Sequence, residues 1–327
     1  MNKSPFRDSD DLMLFGLDSR VHSWRGFWPL ALVYFGAIAC AALLAPPVYW
    51  AVVAWADVSP NSLNAYLANK SFDDYFDRLR WVPVLIAFPW IFRFCGLFSW
   101  DALKVKWSLE GSLAWFRWFG MGVVLVAAIA VLQGLQTAVD PHESYRLFRV
   151  LGVVFKALVG GVLLGFLEEI IFRGLIFRIF YTAMAPFWAT CLSALFFAYT
   201  HFKMPDAIWD ATDQVVTWKS GFFVGLWTIL GITQNFEPLP FLNLCLLGLV
   251  LNVLFMRTRS LMPCMGFHAG VVTVMLSYKK LFFIHEDSMR WLWGGGKMVD
   301  GLMTGMLLAM LLLMLSLFPK RDETSNS

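Results

Sequence analysis

Residues 160–180 read GGVLLGFLEEIIFRGLIFRIF, and the rest of the chain has to be explained from them. Two adjacent carboxylates, Glu168 and Glu169, and one guanidinium, Arg173, interrupt a run that is otherwise apolar for about the thickness of a bilayer. An ionisable side chain at that depth costs roughly 2.5–3.5 kcal/mol even on the lenient translocon scale, so such groups are read as functional by default. A helix turns about 100° per residue, which puts Glu169 and Arg173 on one face, able to pair, and turns Glu168 to another azimuth. Glu168 shares its face with Gly161, Gly165 and Phe172, where the glycines invite a close neighbouring helix. A spare carboxylate facing a close helix contact has the form of a site. The plainer alternative is a packing triad that ties helices together.

Composition sets the class. Hydrophobic residues make up 59% of the 327 positions and charged ones 15%, which predicts a multi-pass membrane protein with an all-α, polytopic transmembrane helix bundle. The net charge of +3 is small and the Lys and Arg residues are scattered, which excludes nucleic acid as an expected partner. Cys40, Cys95, Cys191, Cys245 and Cys264 fall in apolar stretches without CxxC spacing, so neither a disulfide framework nor a thiolate zinc site is indicated. The leader carries Asp8, Asp10, Asp11 and Asp18 ahead of its first apolar run, unlike a cleaved signal peptide, and is expected to be retained.

The expected organisation is a cytoplasmic polar leader over 1–26, a single transmembrane domain over 27–318 and a polar tail over 319–327. The domain reads as about eight spans plus a short re-entrant or interfacial helix. Expected spans are 27–55, with a break at Pro46 and Pro47, then 81–100, 113–135 and 148–184. The last of these is too long for one straight crossing and should bend or re-enter at the glutamate motif. Further spans are 186–202, ending in His201, then 241–256, 261–278 with His268, and 302–318; the half-span 222–232 is the re-entrant piece. Lys3, Arg7, Arg20 and Arg25, then Lys104 and Lys106, Arg257 and Arg259, and Lys320 and Arg321 place both termini in the cytoplasm. Gly294, Gly295 and Gly296 read as a turn rather than a lid.

Of the histidines, His22, His142 and His285 fall in polar connections, whereas His201 and His268 lie in expected membrane helices, where an imidazole needs a partner. The His201 face continues through Ala194, Phe197 and Ala198, small enough to receive the Glu168 helix. Arg93 and Lys156 are the other intramembrane charges; Lys156 can snorkel and is given no chemical role. A carboxylate beside an imidazole can deprotonate a water, and a second imidazole can stabilise an oxyanion, a combination suited to amide hydrolysis. That reading requires no cofactor. The same Glu and two His side chains could instead bind zinc, although no HExxH spacing accompanies them.

The ordered set EExxxR (Glu168, Glu169, Arg173), FxxxH (Phe197, His201) and a late His268 after a short Arg-bounded loop resembles the CPBP family over residues 148–278. This family groups type II CAAX prenyl endopeptidases with bacterial and archaeal relatives, some linked to bacteriocin self-immunity. The resemblance implies an all-helical intramembrane endopeptidase in a prokaryotic cell membrane, with membrane lipid and a peptide or protein substrate as partners. It implies that Glu168 and His201 activate water, that His268 helps hold the oxyanion, and that Glu169 and Arg173 support them. One position departs from the pattern: four residues after the last His the family carries Asn or Asp, and here stands Val272, with Thr273, Asn243 and Asn252 as candidate substitutes. The competing reading is a weakened or inactive membrane protein that uses the same polar cluster for partner binding, immunity or scaffolding.

Overall fold

Within lipid every backbone N–H and C=O has to be satisfied inside its own segment, so apolar runs of this length fold as helices. The computed structural model describes residues 26–135, 139–141, 146–201, 215–233, 236–284, 289–295 and 300–317. The leader up to residue 25, the tail 319–327, His22, His142, His285 and Gly296 lie outside the described residues.

Helices α1 (Phe27–Val58), α2 (Ser62–Ala68), α3 (Phe72–Phe94) and α4 (Leu109–Leu135) lead to a short strand, β1 (Val139–Pro141). Helix α5 (Leu147–Glu169) runs through a π-helical segment (Ile170–Ile176) into α6 (Phe177–Ala183), and α7 (Pro186–Thr200) follows. Then come α8 (Trp218–Leu230), α9 (Pro238–Thr258), α10 (Leu261–Leu281), strand β2 (Phe282–Ile284), α11 (Arg290–Trp293) and α12 (Leu302–Leu317). The strands form one small antiparallel pair, Val139 opposite Ile284; among the described residues everything else regular is helix. The architecture is a polytopic all-α bundle. Among the described residues five helices are long and apolar enough to cross a membrane: α1, α4, the continuous Leu147–Ala183, α9 and α10. Helices α3, α7 and α12 stand where three further spans were expected and are more polar or shorter.

Three local expectations change. Helix α1 is not broken at Pro46 and Pro47 but continues to Val58. Pro46 leaves the Ala42 carbonyl without its helical N–H, and Gly221 of α8 packs its backbone directly against that carbonyl. Helix α3 starts at Phe72, well ahead of Trp81, because Asp73 and Asp74 in its first turn complement the helix dipole. It stops at Phe94, before Gly96 with φ 72°. The long run through the glutamate motif neither bends back nor re-enters; it widens into π-helix and goes on to Ala183.

The chain forms two compact units. One comprises Gly96–Ala198 and the chain from Glu237 onward, with α10 at its centre between α4 and α5. Its helices meet through glycine. Gly266 and Gly270 of α10 lie against the backbone of Trp115 and Phe119 on α4, and Gly161 and Gly165 of α5 lie against Ala269 on α10. At each of these a Cβ would run into main chain, which is how small residues let membrane helices approach. The Gly161–Gly165 face is therefore filled by the His268 helix, and not by the His201 helix expected from the sequence. The other unit, Ser19–Cys95 with Tyr199–Phe236, packs Ala41, Ala42, Phe72, Phe76 and Val224 into its core. There the Tyr34 and Tyr199 hydroxyls lie 3.2 Å apart, and Tyr199 donates to the Ile229 carbonyl at 3.0 Å.

Candidate active site

Glu169 is the last residue of α5 and Arg173 lies in the π-helical segment, a rare geometry that is frequent at functional sites. Arg173 Nη1 donates to Glu169 Oε1 at 2.8 Å, the pairing expected from helical spacing. Both side chains are buried, Glu169 at 0% and Arg173 at 1% exposure. Two charges removed from water repay their desolvation only with good geometry and additional hydrogen bonds. Arg173 has these: Nε donates to Asn252 Oδ1 at 3.2 Å, Nη2 donates to the Gly248 carbonyl at 3.2 Å, and the guanidinium lies 4.8 Å from the Phe197 ring centroid.

The same Glu169 oxygen takes a second bond, from His268 Nδ1 at 2.8 Å. Because Arg173 holds Glu169 as a carboxylate, Nδ1 is assigned the hydrogen, and the second ring nitrogen is left for other work. That nitrogen, Nε2, lies 3.7 Å from Glu168 Oε2. The separation is longer than a direct hydrogen bond. Glu168 differs from its neighbour in keeping 23% of its side chain exposed. Phe172, Phe197 and His268 pack ring edge to ring face around this point, at 4.9 Å and 6.2 Å between successive centroids.

Within one unit Glu168, Glu169, Arg173 and His268 converge. His201 does not lie within a membrane helix; it is the first residue past α7, is exposed, and belongs to the other unit. Helix α7 does approach the glutamate helix, through Phe197 on Phe172. Its small Ala194 is used elsewhere, against Gly248 of α9.

The three candidates for the donor that Val272 cannot supply are engaged otherwise. Thr273 donates its one hydroxyl hydrogen to the Ala269 carbonyl at 2.7 Å. Asn252 Nδ2 donates to the Thr190 carbonyl at 3.0 Å and to Ser193 Oγ at 2.8 Å, which commits both amide hydrogens. Asn243 Nδ2 donates to the Gly301 carbonyl at 2.8 Å, with Gly305 packed against its oxygen. Sequence reasoning missed Ser193 and Gly248. The only signal for Ser193 was a hydroxyl on an apolar helix, and Gly248 acts through its carbonyl, which no residue type announces.

Among the described residues no three His, Cys, Asp or Glu side chains are arranged to hold a metal ion. No step below is routed through a metal.

Residues 150–274 match the family model described as type II CAAX prenyl endopeptidase Rce1-like. That match supports a CPBP, CAAX-protease-type assignment for this segment of the chain. The CPBP match runs from the first turns of α5 into α10 and takes in Glu168, Glu169, Arg173, His201 and His268. No curated protein and no solved structure matches the chain. The five long apolar helices, together with this match, support a multi-pass membrane protein with an intramembrane-protease-like segment.

Proposed function

We propose that the protein is an intramembrane endopeptidase that hydrolyses a peptide bond with water activated by Glu168. The observation that carries this is the buried Arg173–Glu169–His268 chain of hydrogen bonds, whose last ring nitrogen faces a partly exposed carboxylate. Glu169 acts on His268 as an orienting carboxylate acts on any catalytic imidazole: it fixes ring and tautomer.

In the proposed reaction Glu168 takes a proton from the water as its oxygen bonds to the scissile carbonyl carbon, and the carbonyl electrons move onto oxygen. The protonated form of His268, oriented by Glu169, faces that oxyanion through Nε2–H. Collapse re-forms the carbonyl, breaks the C–N bond and delivers the proton held by Glu168 to the leaving amine. His201 enters this proposal on its FxxxH motif alone, as a second group acting on the water.

The test is cleavage of quenched peptides by purified protein in detergent. Glu168→Gln removes the base and keeps the shape, and is expected to abolish turnover while the protein stays folded and membrane-inserted. His201→Ala is expected to do the same. Wild-type turnover in Glu168→Gln would remove the assignment of the base. Absence of cleavage by wild-type protein across prenylated and unprenylated peptides would favour the binding or scaffolding alternative, for which Val272 is the specific observation.

A further inference from the structure

We propose that Asn252 is a positioning residue that keeps His268 hydrogen-bonded to Glu169 by preventing Arg173 from closing on both oxygens of that carboxylate. In its kinetic consequence the proposal rests on the endopeptidase reading; its structural part stands without it.

Arg173 and His268 share one oxygen of Glu169, Oε1, while Oε2 is buried and makes no hydrogen bond. That division is unusual for arginine. A guanidinium free to choose meets a carboxylate with two parallel N–H···O bonds, the stronger and more directional arrangement. Here two acceptors on α9, one helical turn apart, hold it off that geometry. Asn252 Oδ1 takes Nε and the Gly248 carbonyl takes Nη2. Nη1 is the nitrogen that reaches Glu169, and it reaches Oε1 alone.

Asn252 is itself oriented from its other end. Its amide nitrogen donates to Ser193 Oγ and to the Thr190 carbonyl on α7, so the side chain cannot flip without presenting N–H groups to Arg173. It is 2% exposed. The order of bonds is therefore Ser193 to Asn252, Asn252 to Arg173, Arg173 to Glu169 and Glu169 to His268. Releasing the second link lets Arg173 rotate onto Oε2 and engage Glu169 in bidentate fashion. The carboxylate is then satisfied without His268, whose Nδ1 loses its fixed partner and whose ring samples both neutral tautomers.

The experiment is ¹⁵N NMR of histidine-labelled full-length protein in detergent, with His268→Gln to assign the resonance, alongside cleavage kinetics. In wild-type protein the neutral His268 ring carries its hydrogen on Nδ1. In Asn252→Leu, which removes the acceptor, the ring is expected to become a mixture of tautomers, and kcat is expected to fall about 10–100-fold, the usual cost of losing an outer orienting group, with KM unchanged. Asn252→Asp keeps an oxygen on Nε but removes the amide donor, so it is expected to retain the Nδ1 tautomer; a role in packing alone would have the two variants behave alike. A folded Asn252→Leu protein with the wild-type tautomer overturns the proposal. If that variant does not fold, loss of the tautomer in Asn252→Asp overturns it, and retention supports it. A wild-type protein that cleaves nothing would end the endopeptidase reading, while the NMR pattern would still decide the role of Asn252.

Discussion

Helix α10 carries two buried polar knots, one near each end, and they are built differently. Near its start His268 joins Glu169, Arg173 and Asn252. Near its end the Tyr278 hydroxyl donates to Gln133 Oε1 at 2.7 Å, and Gln133 Nε2 donates to the Gly294 carbonyl at 2.9 Å. Close to the second knot, Asn243 reaches Gly301, and the Gly295 N–H donates to Asp300 Oδ1 at 2.9 Å. Every side chain bonded to α10 in the second knot is neutral, and its bonds end on main-chain carbonyls. It clamps the segment around Gly294, whose φ of 88° suits a glycine turn, and so supports the turn reading over a lid. The first knot contains a charged pair, leaves one carboxylate oxygen without a hydrogen bond, and ends on a ring nitrogen facing Glu168. Burial of polar groups is common to both. Charge, and a ring nitrogen left facing a partly exposed carboxylate, is what separates the first knot from the clamp.

The largest expected effect that would break this contrast is in Arg173→Ala. It leaves Glu169 as a buried charge with only His268 on it, and a broken buried pair of this kind costs about 3–5 kcal/mol. Thermal or denaturant unfolding in detergent should report that loss. Glu169→Gln combined with Arg173→Met should regain part of the stability but not the cleavage rate, because the carboxylate that orients His268 is gone. An Arg173→Ala protein as stable as wild type would show that the first knot is not held together by charge.

Next in size is Val272→Asn, which places a donor one helical turn after His268. Val272 is half-buried, and the candidate substitutes Thr273 and Asn252 have their hydrogens committed. A positioned oxyanion donor is worth about 2.7–4 kcal/mol of barrier, so single-turnover cleavage should accelerate on the order of 10²–10³-fold. An unchanged, easily measured rate would mean that another group already fills the position.

The smallest effect belongs to the neutral knot. Tyr278→Phe leaves the buried Gln133 oxygen without its donor and should cost about 1–3 kcal/mol of stability, with the cleavage rate per folded molecule unchanged. A selective loss of rate would dissolve the distinction between the two ends of α10.

The sequence by itself determined whatever depends on composition or on residues within a turn of each other. A chain this apolar must satisfy its backbone in helices, and Glu169 four residues before Arg173 must share a face with it; both hold in the structure. The order of the EExxxR, FxxxH and late His motifs was enough to indicate the family. Only the tertiary structure decided which helix fills the Gly161–Gly165 face, since glycine announces a close approach without naming the partner. It also decided that Asn252 serves Arg173, because a buried amide has no local signature and its bonds join residues 59 to 79 positions apart in the chain. The same holds for the burial of Glu168 and Glu169. Adjacent and chemically identical, they are told apart in sequence by azimuth, since only Glu169 faces Arg173, while the difference in their burial is a property of the α5–α10 seam.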